Sequence, residues 1–193
     1  MNDQRRRILR LPLALLAAGS GGLTPSLAAA QEAVETVRAG GCAVMIRHAQ
    51  TVPGIGDPPE FVLDRCETQR NLSEAGREQA ACIGRWFAER ALSPRQVLSS
   101  QWCRCRDTAR IAFGEFRDLP ALNSTFQNRG DAPGQLAAIR SNLRDIPDGQ
   151  FDILVTHQVI ITAVTGRGTQ MGEALIVDRD GRMLARLASG CMV

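Results

Sequence analysis

The segment CAVMIRH at residues 42–48 places five consecutive apolar residues directly before an arginine and a histidine. A second segment, FDILVTHQ at 151–158, has a similar pattern and carries His157, the only other histidine of the chain. Short apolar runs of this kind are typical of strands that are buried on both faces of a sheet. Between them, VLSSQWCRCRDTA at 97–109 passes from a β-like run into an arginine-rich stretch that predicts a helix. We therefore expect both histidines to lie at the ends of buried strands.

Periodicity along the rest of the chain predicts strands that alternate with helices. Such an alternation indicates right-handed crossovers and a three-layer α/β/α sandwich with a mostly parallel central sheet. Ligands of these folds gather at the carboxyl ends of the strands, where His48, Ser100 and His157 fall. The proline- and glycine-rich residues 52–70 predict a long loop, and a loop at this place is more often functional than idle. The remaining expectations are strands at 96–100, 121–123, 152–156, 174–177 and 183–187, and helices at 32–38, 74–92, 102–113, 135–146 and 158–164, with Ser73 as an N-cap.

The first thirty residues read as an export signal. A basic stretch that contains Arg5, Arg6 and Arg7 precedes a diluted apolar run, and Ala28–Ala30 offers a cleavage site before Gln31. The basic stretch resembles a twin-arginine signal, but an ordinary secretory signal fits equally well. We expect residues 31–193 to form one mature domain that is periplasmic or secreted and does not bind membranes once the signal is removed.

Charge and cysteine content restrict the class of the mature protein. The chain has 23 basic and 20 acidic residues. Four arginines and one aspartate lie in the predicted signal, so the remainder has 19 of each sign. A neutral domain is not expected to bind nucleic acid, which favours a basic excess. The chain has six cysteines: Cys42, Cys66, Cys82, Cys103, Cys105 and Cys191. An even number in an exported chain favours disulfides, but the sequence leaves their pairing open. Cys103 and Cys105 are too closely spaced for us to expect a bond between them.

Three segments in this order resemble the histidine phosphatase superfamily, which includes the cofactor-dependent phosphoglycerate mutases. They are RHAQT at 47–51, SSQWCRCRDTA at 99–109 and THQ at 156–158. NLSEAGREQA at 71–80 is similar to the first-helix segment of that family. The resemblance spans about residues 42–165 and implies a phosphoglycerate mutase-like fold. It also implies a phosphatase that needs no cofactor or metal and acts on a small phosphorylated substrate or a phosphoprotein.

The resemblance assigns roles to five residues. His48 would be the nucleophile that forms a phosphohistidine, and Thr51 would support the substrate-binding loop that holds it. Arg47, Arg104 and His157 would bind the phosphoryl oxygens, His157 as a hydrogen-bond donor. Arginine suits this task because its planar fork grips two oxygens and stays charged. Trp102 next to the turn that carries Arg104 either packs or forms a wall of the pocket, whereas Trp86 is expected to pack.

The proton donor for the leaving group is not identified by the resemblance. Ser124 stands where many members of the family carry a glutamate, and Gln158 follows the second histidine where another branch carries an acid. Either a loop carboxylate supplies the proton, or the natural leaving group needs little protonation, as in a phosphohistidine or an acyl phosphate. The candidate carboxylates are Asp57, Glu60, Asp64, Glu67, Glu115 and Asp131.

Three other interpretations compete with a phosphatase. A binding module would keep the anion pocket without catalysis, and a mutase is disfavoured because the chain is short and lacks the expected glutamate. Two histidines with Cys103 and Cys105 suggest a metal site, but no close ligand spacing of the usual kind is present. A phosphate site remains the interpretation that explains why both histidines fall in these segments.

Overall fold

A six-stranded mixed sheet forms the centre of the computed structural model, which describes residues 25–190 and Met192. Its strands lie in the order β3-β2-β4-β1-β5-β6. The strands are β1 Cys42–Arg47, β2 Gln96–Ser99, β3 Arg117–Asp118, β4 Phe151–Thr156, β5 Ala174–Val177 and β6 Met183–Leu187. The helices are α1 Pro25–Ala39, α2 Glu74–Glu89, α3 Cys103–Phe113, α4 Ala132–Arg144 and α5 Gln158–Thr165.

Alternating side chains of β1 divide the core into two apolar layers. Val44 and Ile46 pack in a cluster with side chains of α1, α2 and α3. Ala43 and Met45 point to the opposite face and pack with side chains of α4 and α5. Because successive residues of a strand face opposite sides, an uninterrupted apolar run is needed where both faces are covered. The predicted three-layer α/β/α sandwich is confirmed.

Pairing within the sheet also follows the prediction. β1, β4, β2 and β3 are parallel to one another, whereas β5 pairs with β1 in the antiparallel direction and β6 closes the hairpin. Ser73 caps α2 by accepting a hydrogen bond from the backbone N–H of Gly76. Residues 52–70 form the expected loop, interrupted by one 3₁₀ turn at Cys66–Thr68.

The predicted short strand at 121–123 is wrong. Pro120–Leu122 form a 3₁₀ turn, and the short strand β3 lies earlier, at Arg117–Asp118. Pro120 has no N–H to give to a ladder and its fixed φ suits the first residue of a turn. Leu122 is nevertheless completely buried. Its apolar character therefore reflects packing beneath α4, not membership of a strand.

Helix α1 crosses the predicted cleavage site, since it begins at Pro25 and not near residue 32. Residues 1–24, which carry most of the predicted signal, lie outside the described residues. The α1 side chains in the apolar core are Ala33, Val34 and Val37. All three follow Ala30, so cleavage before Gln31 would keep these core contacts. Within the described residues, no helix is long and apolar enough to cross a membrane.

A disulfide between Cys66 and Cys103 ties the long loop to the first residue of α3. Their Cα atoms are 5.6 Å apart, and the bridge spans 37 positions of the sequence. Cys105 is a buried free thiol, so the expectation that it would not pair with Cys103 is confirmed. The bridge fixes the loop that follows β1 against the helix that carries Arg104.

Replacing both bridge cysteines in Cys66→Ser/Cys103→Ser should destabilise the protein. Opening a bridge of this span enlarges the conformational freedom of the unfolded chain, with an expected loss of about 2–4 kcal/mol. Equilibrium urea unfolding of the parent and the double variant measures this difference. Equal free energies of unfolding in the two proteins would show that the bridge does not hold the loop.

Candidate active site

Parallel pairing of β1 with β4 brings the two histidines together. Arg47 is in register with Thr156, and the backbone N–H of His48 donates to the Thr156 carbonyl at 3.0 Å. The ring centroids of His48 and His157 are 5.5 Å apart, with the rings edge to face. Both side chains are buried. The carboxyl ends of two central strands therefore form the floor of one site.

A cavity of about 370 Å³ opens above these rings. Four of the residues expected in the site, Arg47, His48, Arg104 and His157, line it. Thr51 does not line the cavity; its hydroxyl accepts a hydrogen bond from Arg70 at 2.5 Å. Further lining residues were not predicted or had only been candidates: Gly54, Ile55, Gly56, Asp57, Arg70, Trp102, Ser124, Phe126, Gln127, Arg129, Gln158, Val159 and Met171.

His48 is held in the tautomer of a nucleophile. Its Nδ1 lies 2.9 Å from the carbonyl oxygen of Ala49, and a carbonyl only accepts hydrogen bonds. Nδ1 therefore carries the proton, and the lone pair of neutral His48 is on Nε2. Burial, followed by the positive charge of Arg104, lowers the pKa of His48 to about 3. The imidazole is consequently neutral at physiological pH.

His157 is held in the opposite tautomer. Its Nδ1 lies 3.5 Å from Nη2 of Arg104, which only donates, so Nδ1 is the acceptor. Its Nε2 lies 2.9 Å from Ser100 Oγ and donates to it. Ser100 in turn donates to Asn123 Oδ1 at 3.2 Å. The neutral ring thus offers a lone pair, not the expected N–H, on the side of Arg104. Donation to a phosphoryl oxygen from Nδ1 requires that His157 first takes up a proton.

The pKa of His157 is lowered well below its ordinary value by burial and then by the positive charge of Arg104. His48 and two further arginines add to this effect. A bound dianion would oppose the repulsion from those charges, because an anion next to an imidazole favours its protonated form. Proton uptake by His157 is therefore coupled to the arrival of a negatively charged ligand.

Four arginines line the cavity and make it positive: Arg47, Arg70, Arg104 and Arg129. Arg47 Nη1 donates to Gln158 Oε1 and to the Thr169 carbonyl, at 2.7 and 2.6 Å. Burial, and then the charge of neighbouring arginines, lowers the pKa of both Arg47 and Arg70. The Nε atoms of Arg47, Arg70 and Arg104 are buried and make no hydrogen bond within the described residues. Buried positive donors of this kind fit an anionic ligand.

Arg70 was missed by the sequence analysis. It donates to Thr51 Oγ1 and to the Gly54 carbonyl, at 2.5 and 3.0 Å, and thereby holds the loop after His48. One signal in the sequence could have found it: Arg70 directly precedes the segment 71–80, which resembles the first-helix segment of the family.

Arg104 and Trp102 share one carboxylate. Nη1 and Nη2 of Arg104 donate to the two oxygens of Asp57 at 2.7 and 3.2 Å. Nε1 of Trp102 donates to Asp57 Oδ2 at 3.0 Å. Trp102 therefore forms a wall of the cavity, whereas Trp86 packs in the core as expected. Of the candidate acids, Asp57 lines the cavity, and these others do not: Glu60, Asp64, Glu67, Glu115 and Asp131.

The residues needed for the alternative metal site are not arranged as ligands. Cys103 is in the disulfide, and burial raises the pKa of the Cys105 thiol to about 12. A metal ion is bound by the deprotonated thiolate, which such a pKa disfavours. Among the described residues, no group of three or more histidine, cysteine, aspartate or glutamate side chains is placed to hold a metal ion.

Comparison with known proteins confirms the resemblance found in the sequence. Residues 43–130 match the family model of the histidine phosphatase superfamily, branch 1. The match ends before His157, so the structure alone brings the second histidine to this site. No curated protein matches the chain. The match of residues 43–130 to this family model supports a phosphatase-type function.

Several solved structures have the same fold. TTHB049 from Thermus thermophilus is 20% identical, with a TM-score of 0.54, and the match covers 76% of this chain and 99% of that chain. The putative phosphohistidine phosphatase SixA from Agrobacterium tumefaciens is 23% identical over 76% of this chain and 97% of that one, with a TM-score of 0.51. The protein histidine phosphatase SixA complexed with tungstate is 12% identical over 77% and 97%, with a TM-score of 0.52.

Both histidines should resist protonation in the folded protein. Their folded-state pKa values lie below the ordinary value of 6.5, so the unfolded chain binds protons that the native protein does not. The contribution of these groups to stability is therefore present above pH 6.5 and is lost as the pH falls below it. NMR titration of the imidazole Cε1 protons should show no midpoint near the ordinary value of 6.5 for either ring. A midpoint near the ordinary value for either ring would contradict the described environment.

Proposed function

We propose that the protein is a phosphatase that hydrolyses a phosphomonoester or a phosphoprotein through a phosphohistidine on His48. One observation carries the proposal: a neutral histidine with its lone pair on Nε2 lies in a cavity lined by Arg47, Arg70 and Arg104. A neutral imidazole is a good nucleophile for phosphorus, and buried guanidiniums stabilise the charge on the transferring group.

The proposed reaction has two displacements. The His48 lone pair attacks phosphorus as the bond to the leaving oxygen breaks, and the electrons of that bond go to the leaving oxygen. Arg47, Arg70 and Arg104 donate to the phosphoryl oxygens, and His157 joins them once it is protonated on Nδ1. Water then attacks the phosphohistidine, which releases phosphate and restores neutral His48. Positioning and electrostatic stabilisation provide most of the rate in such a transfer.

Neither a metal nor a cofactor enters the proposed reaction. The three arginines supply the charge that a divalent ion would otherwise provide to the phosphoryl oxygens. Chelating agents should therefore leave the activity unchanged, whereas vanadate, which mimics the phosphoryl group, should inhibit it.

The substrate class and the location of the protein belong to the same proposal. A structurally similar protein is called a protein histidine phosphatase, which makes a phosphohistidine in a protein one candidate substrate. Export to the periplasm or beyond rests on the signal-like residues 1–30, and the disulfide between Cys66 and Cys103 suits an oxidising compartment.

A binding module without catalysis is the second candidate. Ser124 lines the cavity at the position where the family suggests a glutamate. Arg104 forms an ion pair with Asp57, which competes with an anionic ligand for this arginine. Such a protein would bind phosphate or a phosphorylated ligand but would not turn it over. Activity measurements separate these two functions.

Replacing the nucleophile in His48→Ala should abolish hydrolysis of an aryl phosphate while the protein stays folded. Arg104→Ala should lower kcat/KM by about 10²–10³-fold, because one preorganised donor to the developing charge is lost. Arg140→Ala is the control, since Arg140 lies exposed on α4 away from the cavity. Circular dichroism would establish folding. Undiminished hydrolysis by His48→Ala would disprove the phosphohistidine route, and dependence on an added divalent ion would disprove the metal-independent one.

A further inference from the structure

Asp57 is the only carboxylate among the described residues that line the cavity. Its side chain is 6% exposed and accepts hydrogen bonds from Arg104, Trp102 and the backbone N–H of Arg70. The other loop acids considered as donors lie away from the cavity walls. Proximity to the reacting group therefore singles out Asp57 from the candidate acids.

A phosphoryl group that binds at the terminal nitrogens of Arg104 competes with Asp57 for them. Both of these nitrogens donate to Asp57, whereas Nε of Arg104 makes no hydrogen bond to the described residues. A phosphoryl dianion is a stronger acceptor than a carboxylate of single charge. A phosphoryl group bound at these two nitrogens therefore takes charge-assisted hydrogen bonds away from Asp57.

The consequence for Asp57 is a change of its preferred protonation state. In the free protein, burial by itself would raise the pKa of Asp57, but Arg104 and the hydrogen bonds lower it below the ordinary value. Loss of Arg104 to a neighbouring dianion removes the main favourable interaction and adds a repulsive charge. Trp102 Nε1 and the Arg70 N–H, both 3.0 Å away, can keep the carboxyl at the wall of the cavity.

We propose that Asp57 is the proton donor to the leaving oxygen, and that the phosphoryl group frees it by taking over Arg104. This inference rests on the proposed phosphatase function. When the Asp57 carboxylate separates from Arg104, it takes up a proton from solvent or from the monoanionic phosphoryl group. As the phosphorus–oxygen bond breaks, that proton passes to the leaving oxygen, giving an alcohol and the Asp57 carboxylate. In the second step, water attacks the phosphohistidine, the phosphorus–nitrogen bond breaks, and both water protons leave on dihydrogen phosphate, so this step does not need Asp57.

Comparison of two leaving groups in Asp57→Asn tests this role. An alkyl alcohol needs a proton as it leaves, so kcat for an alkyl phosphate should fall by about 10²–10⁴-fold. A nitrophenolate leaves without one, so the rate for 4-nitrophenyl phosphate should fall far less than the rate for the alkyl phosphate. Asp64→Asn is the matched control, because Asp64 is an exposed acid of the same loop. Its ratio of alkyl to aryl rates should equal that of the parent.

Two further variants strengthen the test. Asp57→Glu keeps a carboxyl and should retain most of the alkyl activity. Ser124→Glu places a carboxyl on another residue of the cavity wall, so Asp57→Asn/Ser124→Glu should recover alkyl hydrolysis. The ratio of alkyl to aryl rates does not depend on the amount of folded enzyme. Partial unfolding of a variant therefore leaves the test decisive.

Three results would overturn the inference. Equal losses on both substrates in Asp57→Asn would show that Asp57 only positions Arg104. Faster hydrolysis of both substrates would show that it only competes with the phosphoryl group. If the unaltered protein hydrolyses neither substrate, the proposed function itself fails, and that outcome is distinct from the other two.

Discussion

The in-register parallel pairing of β1 with β4 is the constraint on which the site depends. It places Arg47 opposite Thr156, so that His48 and His157 leave the sheet side by side. The backbone around His48 is fixed on both sides, because its N–H donates to Thr156 and the carbonyls of Arg47 and His48 accept from the Gly172 N–H. A shift of one residue would turn every side chain of β1 to the other face of the sheet. Because both faces are packed with apolar side chains, such a shift is strongly disfavoured.

Burial of the two histidines beside arginines determines the electrostatics of the cavity. Burial, followed by the positive charge of Arg104, lowers the pKa of both imidazoles, and the cavity keeps an excess of positive charge. Three buried Nε atoms make no hydrogen bond to the described residues, and the like charges of the arginines lie close together. Functional sites commonly contain arrangements of this kind that lower the stability of the folded protein. An arrangement that is unfavourable in the free protein becomes favourable when an anion binds.

Much of the fold could be predicted from the sequence, because apolar runs mark the buried strands and turn residues mark the ends of the strands and helices. The buried strands, the cap at Ser73 and the closing hairpin lie where their patterns indicated, and the resemblance to the superfamily is confirmed. The short strand was misplaced because buried Leu122 packs from a turn, and burial alone does not distinguish a turn from a strand. Local sequence patterns predict secondary structure correctly where a regular helix or strand sets the spacing of the apolar residues. They fail where an irregular loop buries an apolar side chain.

The site was less predictable than the fold. Asp57 and Arg70 lie in a loop without periodicity, and their positions depend on a disulfide and on contacts with Arg104 and Thr51. The tautomer of His157 is set by Arg104, which only donates, and by Ser100 on the other side of the ring, and no local sequence pattern predicts these contacts. Conformation of long loops and hydrogen-bond networks between distant segments are properties of the folded chain, so these features required the structure.

Trapping the covalent intermediate tests the central claim that neutral His48 attacks phosphorus. The protein would be mixed with an excess of an aryl phosphate, quenched within one turnover under alkaline conditions and digested, and the peptides would be analysed by tandem mass spectrometry. We predict an acid-labile phosphoryl group on the peptide that contains His48, located on His48 itself and formed no later than the first turnover. Release of phenolate with the phosphoryl group on another residue, or with none on the protein at any time, would contradict the account.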